Sequence, residues 1–223
     1  MKDKLEVLYE DNHIIVVFKP ENVLSQSDDT NDLDMLTIVK KYIKEKYNKP
    51  GNVYLGLVHR LDRPTAGIMV FAKTSKAASR LSNEIRCGNL KKEYYAVVND
   101  NNLEDKGILI DYLHKDENNN SSIATKENGK YAELEYVVLE KDKKNNLALV
   151  DIYLKTGRHH QIRVQFASRG HALYGDQRYG KEDKKQLALF AHSLEFTHPV
   201  SKEVLKFNMK PKGEIWNNFK RFL

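Results

Sequence analysis

Short segments rich in β-branched and aromatic residues are the most frequent pattern in this sequence, and their length suits β-strands rather than helices. They are Asn12–Phe18, Ala66–Ala72, Tyr94–Val98, Tyr131–Leu139, Leu147–Leu154, Leu187–Phe196 and Val204–Phe207. These segments outnumber the helical patterns and do not alternate regularly with them. The sequence therefore predicts the α+β class, with a mixed, largely antiparallel β-sheet flanked by helices and loops.

Helical periodicity is confined to a few places. A 3.6-residue apolar period predicts one helix over Leu33–Tyr47, with Asp34 as its N-cap, and a second that Ser75 caps and Gly88 ends. A short helix is expected at His160–Ser168. The apolar residues of a closing helix are Ile215, Trp216, Phe219 and Phe222. The polar tract Asp116–Ser122 is expected to be an exposed loop rather than a linker, so one domain over residues 1–223 is the simplest interpretation.

The apolar segments are too short for a membrane protein. Ile14–Phe18 and Ala66–Ala72 fall far below the roughly 20 residues of a membrane-spanning helix, and Met1–Lys4 has no apolar signal core. The single cysteine, Cys87, excludes an internal disulfide and a multi-cysteine metal site. We therefore expect a cytoplasmic protein without a membrane partner.

Positive charge is concentrated in one segment. The chain carries a formal net charge of +6, and the segment from Arg60 to Lys92 contains eight basic residues against Asp62 and Glu84 alone. The remainder of the chain is therefore nearly neutral. Such a distribution is typical of a surface that meets a polyanion such as RNA or DNA, although a solvated helix face has the same composition.

Two polar clusters carry the residues suited to chemistry. In the first, Asp62 lies between Arg60 and Arg63 in a turn before a predicted strand. Two flanking guanidinium groups favour the ionised carboxylate, which suits a nucleophile or an electrostatic stabiliser better than a proton donor. An exposed turn with surface ion pairs has the same pattern.

The second cluster, Thr156–Arg163, places two arginines, two histidines and a glutamine directly after a predicted strand. Its arginines suit phosphate or carboxylate groups, and its histidines with Gln161 suit hydrogen bonds to a base or to nearby loops. Five histidines could also suggest zinc: His159, His160, His171, His192 and His198. The absence of an HExxH motif or a cysteine pair argues against a metal site, and no cofactor is expected.

Three motifs, in order and at matching spacing, resemble those of the RluA-type family of RNA pseudouridine synthases. The family's catalytic loop, His-Arg-Leu-Asp-x-x-Thr-Ser-Gly, resembles His59–Gly67, which reads His-Arg-Leu-Asp-Arg-Pro-Thr-Ala-Gly. The Lys-x-Tyr signature matches Lys92–Tyr94. The third signature, Thr-Gly-Arg-x-His-Gln-(Ile/Leu)-Arg-Val, matches Thr156–Val164. The resemblance implies a single pseudouridine-synthase-like catalytic domain.

The resemblance also implies the activity and the site. The chain is expected to isomerise uridine in structured RNA, a ribosomal RNA or transfer RNA stem-loop, with no obligate protein partner. It implies that Asp62 is the essential aspartate, that Tyr94 stacks on the target base or helps to remove its proton, and that Arg163 pairs with the aspartate. Asp62 could attack the ribose or the base, or take a proton from the ribose. Residues expected to bind the substrate are His59, Arg60, Arg63, Thr65, Arg158, His160 and Gln161.

The chain departs from the family pattern in three respects. Ala66 replaces the usual serine, and Asn99 stands where many relatives have glycine. Catalytic-domain sequence begins by about Leu5, so the N-terminal RNA-binding domain of many relatives is not expected here. The alternative to an active synthase is an RNA-binding or RNA-remodelling module whose catalysis is secondary or lost.

Overall fold

Strands dominate the computed structural model, which describes residues 5–28, 30, 32–219 and 221–222. The strands are β1 (Val7–Glu10), β2 (Ile14–Lys19), β3 (Gly56–Leu57), β4 (Ala66–Ala72), β5 (Lys91–Asn99), β6 (Lys106–Lys115), β7 (Ser121–Ala124), β8 (Lys130–Asp142), β9 (Leu147–Leu154), β10 (Leu189–Thr197) and β11 (Val204–Asn208). The helices are α1 (Met35–Lys46), α2 (Ser75–Arg86), α3 (Gln161–Ala167) and a 3-10 helix (Ile215–Phe219). The predicted α+β class is confirmed.

Most predicted elements occur, and β4 and β9 have the predicted bounds. Strands β1, β3, β6 and β7 were not predicted, and Ser121 opens β7 where the sequence predicted a loop. The cap of α2 was assigned wrongly. Thr74, not Ser75, has the extended backbone of an N-cap and accepts a hydrogen bond from the Ala77 amide.

The described chain forms two compact units, each built from two stretches of sequence. The first unit contains the described residues up to Leu90 together with Ser193–Met209. The second contains Lys91–His192 and the described residues from Lys210 onward. The single domain over residues 1–223 stays a prediction. The expectation of no signal segment was based on Met1–Lys4, which lie outside the described residues.

In the first unit, β2 pairs antiparallel with β1 on one side and with β4 on the other. Strand β4 also pairs with β3, and the end of β10 pairs with β11. One face of this sheet packs against α2, whose Ala77 and Leu81 are buried against Val16 and Val70. The register sets Lys19 opposite Gly67, so the end of β2 lies beside the chain that enters β4.

The second unit contains the antiparallel order β5-β9-β8-β6-β7. Tyr94 and Tyr136 both pair with Ile152 of β9, so these side chains point to the same face of the sheet. Helix α3 lies on that face, because its Phe166 ring contacts the Tyr136 ring at 5.3 Å between centroids. The register therefore places Tyr94 and the third motif on one side of this unit.

The described helices do not include one that is both long and apolar enough to span a bilayer.

Candidate active site

The loop that carries Asp62 is fixed by backbone hydrogen bonds on both sides of that residue. The buried Ser25 hydroxyl donates to the Leu61 carbonyl at 2.7 Å and accepts from the Leu61 amide at 3.0 Å. On the other side, the Thr65 amide donates to the Asp62 carbonyl at 3.0 Å. The Asp62 side chain is partly buried, and the backbone that presents it has little freedom to move.

Lys19 holds the same loop from β2. Its side chain is fully buried, and its amine donates to the carbonyls of Pro20, Val23 and Arg63 at 2.9, 2.6 and 3.0 Å. Burial lowers the pKa of Lys19 to about 7, although the negative charge of Asp62 opposes that shift. Lys19 was not predicted as a residue of the site. A lysine that ends an otherwise apolar strand was the available signal.

The other residues of the first motif differ in their surroundings. The Nε2 atom of His59 accepts from the Val70 amide at 3.0 Å, which ties the start of the loop to β4. Arg60 is exposed. Arg63 is half exposed and forms an ion pair with Asp32, at 2.8 Å between Nη2 and Oδ2. This partner was not predicted, since the sequence suggested only that Arg63 flanks Asp62.

Thr65 and Gly67 show why the motif needs its residue types. Thr65 is buried, and its hydroxyl has no hydrogen-bond partner among the described residues. Gly67 has a φ angle of +139°, a conformation that residues with a Cβ rarely adopt. The glycine therefore allows the chain to turn from the loop into β4, and a buried hydroxyl lies next to that turn.

Gln161 organises the turn of the third motif. Its Oε1 accepts from the Thr156 hydroxyl at 2.8 Å and from the Arg158 amide at 3.0 Å, while its Nε2 donates to the Glu133 carbonyl at 3.1 Å. These bonds join the start of α3 to β8. Arg158 is exposed, and its Nε donates to the Tyr131 carbonyl at 2.7 Å. Substrate contacts by Gln161 and Arg158 stay predictions, whereas their structural bonds are evident.

Arg163 is buried in a bidentate ion pair with Asp176. Its Nε donates to Oδ2 at 2.8 Å and its Nη2 to Oδ1 at 2.7 Å. Asp176 also accepts from the amides of Arg178 and Tyr179. Burial opposes ionisation of Asp176, but these bonds and the charge of Arg163 outweigh it and keep its pKa below the ordinary value.

Asp176 is placed by the glycine before it. Gly175 has a φ angle of +71°, and a Cβ there would lie 2.1 Å from the Gln186 carbonyl oxygen. The pairing of Arg163 with Asp62 stays a prediction. Asp176 is a partner of Arg163 that was not predicted from the sequence.

His160 opens α3 with a left-handed backbone, at a φ angle of +52°. Its Nδ1 lies 2.8 Å from the Tyr179 hydroxyl, which also accepts from the Ser121 amide. Burial and the positive charge of Arg163 lower the pKa of His160 to about 3, so its imidazole is neutral at neutral pH. A neutral ring can accept the Tyr179 hydroxyl proton at Nδ1, and this bond fixes the ring.

The Lys-x-Tyr motif begins β5. Tyr94 is buried, and Tyr95 on the opposite face stacks on His192 at 3.6 Å between ring centroids. The two tyrosines point to opposite faces because successive side chains of a strand alternate. His192 in turn lies 2.9 Å from Asp151.

The positive segment is less available to a ligand than its composition suggested. Lys73 is almost fully buried in an ion pair with Glu10 at 2.7 Å. Arg80 donates to the Pro199 carbonyl at 2.6 Å. These two cations bind partners within the first unit. The exposed cations of the segment include Arg60, Lys76, Arg86 and Lys91.

The five histidines that suggested zinc have different polar partners, although the rings of His159 and His160 stack on each other at 3.7 Å between centroids. His159 contacts Ser121, His171 contacts the Asn99 carbonyl, and His198 contacts Asp11. Across the described ranges, no three His, Cys, Asp or Glu side chains are grouped as metal ligands. The expectation of no metal stays a prediction.

Comparisons with known proteins agree with the motifs. A family model described as RNA pseudouridylate synthase matches residues 13–168, which include all three motifs. The dual-specificity RNA pseudouridine synthase RluA of Haemophilus ducreyi is 33% identical over 215 residues, which are 93% of this chain and 93% of that protein. Ribosomal large subunit pseudouridine synthase D of Nitrosomonas europaea is 33% identical over 213 residues, 90% of this chain but 60% of that longer protein.

A solved structure shows the same fold. Human RNA pseudouridylate synthase domain containing 4 matches with a TM-score of 0.77 over 93% of this chain and 88% of its own, at 20% identity. The match of the family model over most of the chain, with the motifs inside it, decides the assignment. This chain belongs to the RNA pseudouridylate synthase family.

Proposed function

We propose that this chain isomerises uridine to pseudouridine in structured RNA, with Asp62 as its essential catalytic residue. The observation that carries the proposal is that the family match includes the complete Asp62 loop. That loop is held by Lys19 and Ser25 from separate segments of the first unit. A backbone fixed on both sides of a carboxylate is the preorganisation that a reactive group requires.

The reaction is balanced without a cofactor. The bond from ribose C1′ to uracil N1 breaks, the base rotates, and C1′ rejoins the base at C5. The C5 hydrogen leaves as a proton and N1 gains a proton, so the composition of the nucleoside and its oxidation state are unchanged. The enzyme must therefore hold a detached base, exclude water and move protons.

Three roles remain open for Asp62. The carboxylate attacks C1′, attacks the base, or takes a proton from the ribose. Each role needs an ionised carboxylate in a position that the loop fixes. Tyr94 is proposed to stack on the target base or help remove its proton, and Arg163 to keep Asp62 charged. The buried position of Tyr94 supports its assignment, and the bidentate bond to Asp176 fixes the orientation of the Arg163 guanidinium.

The proposed substrate is a ribosomal RNA or transfer RNA stem-loop, encountered in the cytoplasm. A uridine must leave its stack to reach an active-site carboxylate, which favours loops over continuous duplex. The name of one relative, ribosomal large subunit pseudouridine synthase D, supports a ribosomal RNA substrate. Exposed Arg60 and Arg158 suit the phosphates.

Total RNA from cells that lack the gene provides the test. We would incubate it with the purified protein, treat the RNA with a carbodiimide that remains attached to pseudouridine, and map the added mass in RNase fragments by mass spectrometry. Pseudouridine has the same mass as uridine, so the proposal expects at least one uridine position to gain the carbodiimide mass, and Asp62→Asn to leave that position unlabelled. RNA binding with no pseudouridine at any position would instead support a binding module without catalysis.

A further inference from the structure

The amine of Lys92 lies near the third motif. The residue lies on β5, two positions before Tyr94, and its side chain is partly buried. A Cβ placed on Gly157 would lie 3.2 Å from the Lys92 Nζ. The amine therefore lies directly against the backbone of the turn that begins Thr156-Gly157-Arg158.

This amine has no hydrogen-bond or ion-pair partner within the part of the chain that the structure describes. Other cations of the second unit do have partners, such as Lys155 with Glu135 and Arg169 with Asp111. Burial, rather than a neighbouring charge, lowers the pKa of Lys92. A desolvated cation without an anion is unfavourable, and an anionic ligand would remove that penalty.

The position of Lys92 relates it to the proposed reaction. Residues two apart on a strand share a face and are separated by about 7 Å. Lys92 therefore lies on the face of Tyr94, which is also the face that carries α3. A ligand group bound by Lys92 would lie about one nucleotide from a base that contacts Tyr94.

From this juxtaposition we infer that Lys92 binds a backbone phosphate of the RNA strand next to the target uridine, with Gly157 leaving the space that its amine occupies. The inference rests on the proposed function and assigns a specific phosphate contact to it. A phosphodiester suits the amine because each carries a single charge and the contact needs no fixed planar geometry. Arg158, adjacent to Gly157 and exposed, would meet the same strand.

Binding of a 12-nucleotide oligouridylate, measured against KCl concentration, tests the inference without requiring turnover. Lys92→Met should weaken binding about tenfold at low salt, because a hydrogen-bonded charge is lost. It should also reduce the slope of log K against log salt by about 0.7, the value for one phosphate contact on a single strand. Lys92→Arg, which keeps the cation, should retain most of the slope.

Lys106→Met is the matched control. Lys106 is exposed and pairs with Val137 at the end of β6, on the opposite face from Tyr94. Lys106→Met removes the same charge as Lys92→Met. It should change the slope of log K against log salt by less than half as much as Lys92→Met does. Equal effects of the two methionine variants, or an unchanged slope in Lys92→Met, would overturn the phosphate contact. Competition by inorganic phosphate at constant ionic strength would identify a general anion site instead.

Pseudouridine formation is measured on the same wild-type protein to separate the two proposals. Product formation with a normal Lys92→Met slope would overturn only the Lys92 contact. A Lys92-dependent slope without any product in total RNA would overturn the proposed function and leave the phosphate contact standing. Melting curves confirm that each variant is folded at the temperature of the assay.

Discussion

Replacing Asp176 by asparagine should destabilise the protein strongly, because it leaves the Arg163 guanidinium buried without its counter-charge. The pair is bidentate at 2.7 and 2.8 Å, and the Asp176 side chain is fully buried. Asparagine has nearly the same shape, so the change removes charge rather than volume. It also places an amide where two oxygens accept four hydrogen bonds.

The expected cost follows from the burial of both partners. Removing one member of a buried ion pair costs about 3–5 kcal/mol. For a chain of this size, each kcal/mol lowers Tm by about 2–4 °C, so Tm should fall by about 6–20 °C. Asp32→Asn is the control, since the Arg63–Asp32 pair is half exposed. An exposed pair contributes about 0–1 kcal/mol, so that variant should melt within about 4 °C of the wild type.

The pH dependence of the same variant gives an independent check. The pKa of Asp176 is lower in the folded protein than in the unfolded chain, so its contribution to stability is present above the ordinary value of 3.8. That contribution is lost as pH falls through the folded pKa. Urea unfolding of the wild type should therefore weaken below pH 4 more steeply than that of Asp176→Asn. Equal Tm losses in the Asp176 and Asp32 variants would refute the reasoning.

Three further predictions concern the Asp62 loop. Lys19 has a folded pKa of about 7 against 10.5 when unfolded, so wild-type stability should rise between those pH values, and urea unfolding of Lys19→Met should lack this rise. Ser25→Ala leaves the buried Leu61 amide and carbonyl without their partner, which should lower the free energy of unfolding by about 1–3 kcal/mol and also lower kcat. An unchanged Tm and an unchanged kcat would show that the hydroxyl is dispensable. Thr65→Val removes a buried hydroxyl without a described partner, so thermal melts should show equal or higher Tm, while KM for RNA rises if the hydroxyl binds substrate.

Sequence patterns predicted the helices and strands and the class of reaction better than they predicted the side-chain contacts that hold these elements in place. The apolar runs of β4 and β9 gave their bounds because buried strands are uniformly apolar or alternate strictly. Ser75 and Thr74 are both good caps by residue type. Only the backbone angles distinguish them, so the sequence could not decide which one begins α2.

In the site, too, the sequence predicted residues but not the contacts that hold them. The motif predicts Asp62 as the essential residue, but Ser25 and Lys19 contact its loop from 36 and 44 residues away in sequence, and no local pattern predicts such contacts. From its residue type, Gln161 was predicted to hydrogen-bond either a base or the nearby loops. The structure shows both ends of its amide bonded to the turn and to β8. Polar residues in a motif can therefore serve the scaffold, and residue type alone does not distinguish that role from ligand binding.

Release of tritium from RNA labelled at uridine C5 tests the central claim most directly, because that hydrogen leaves only when the base is rejoined through carbon. We expect the wild type and a control variant, Glu45→Gln, which loses an exposed carboxylate on α1, to release tritium at equal rates. Asp62→Asn should release none above background while binding the RNA within about threefold of the wild type. Tritium release by Asp62→Asn at the wild-type rate would contradict the account.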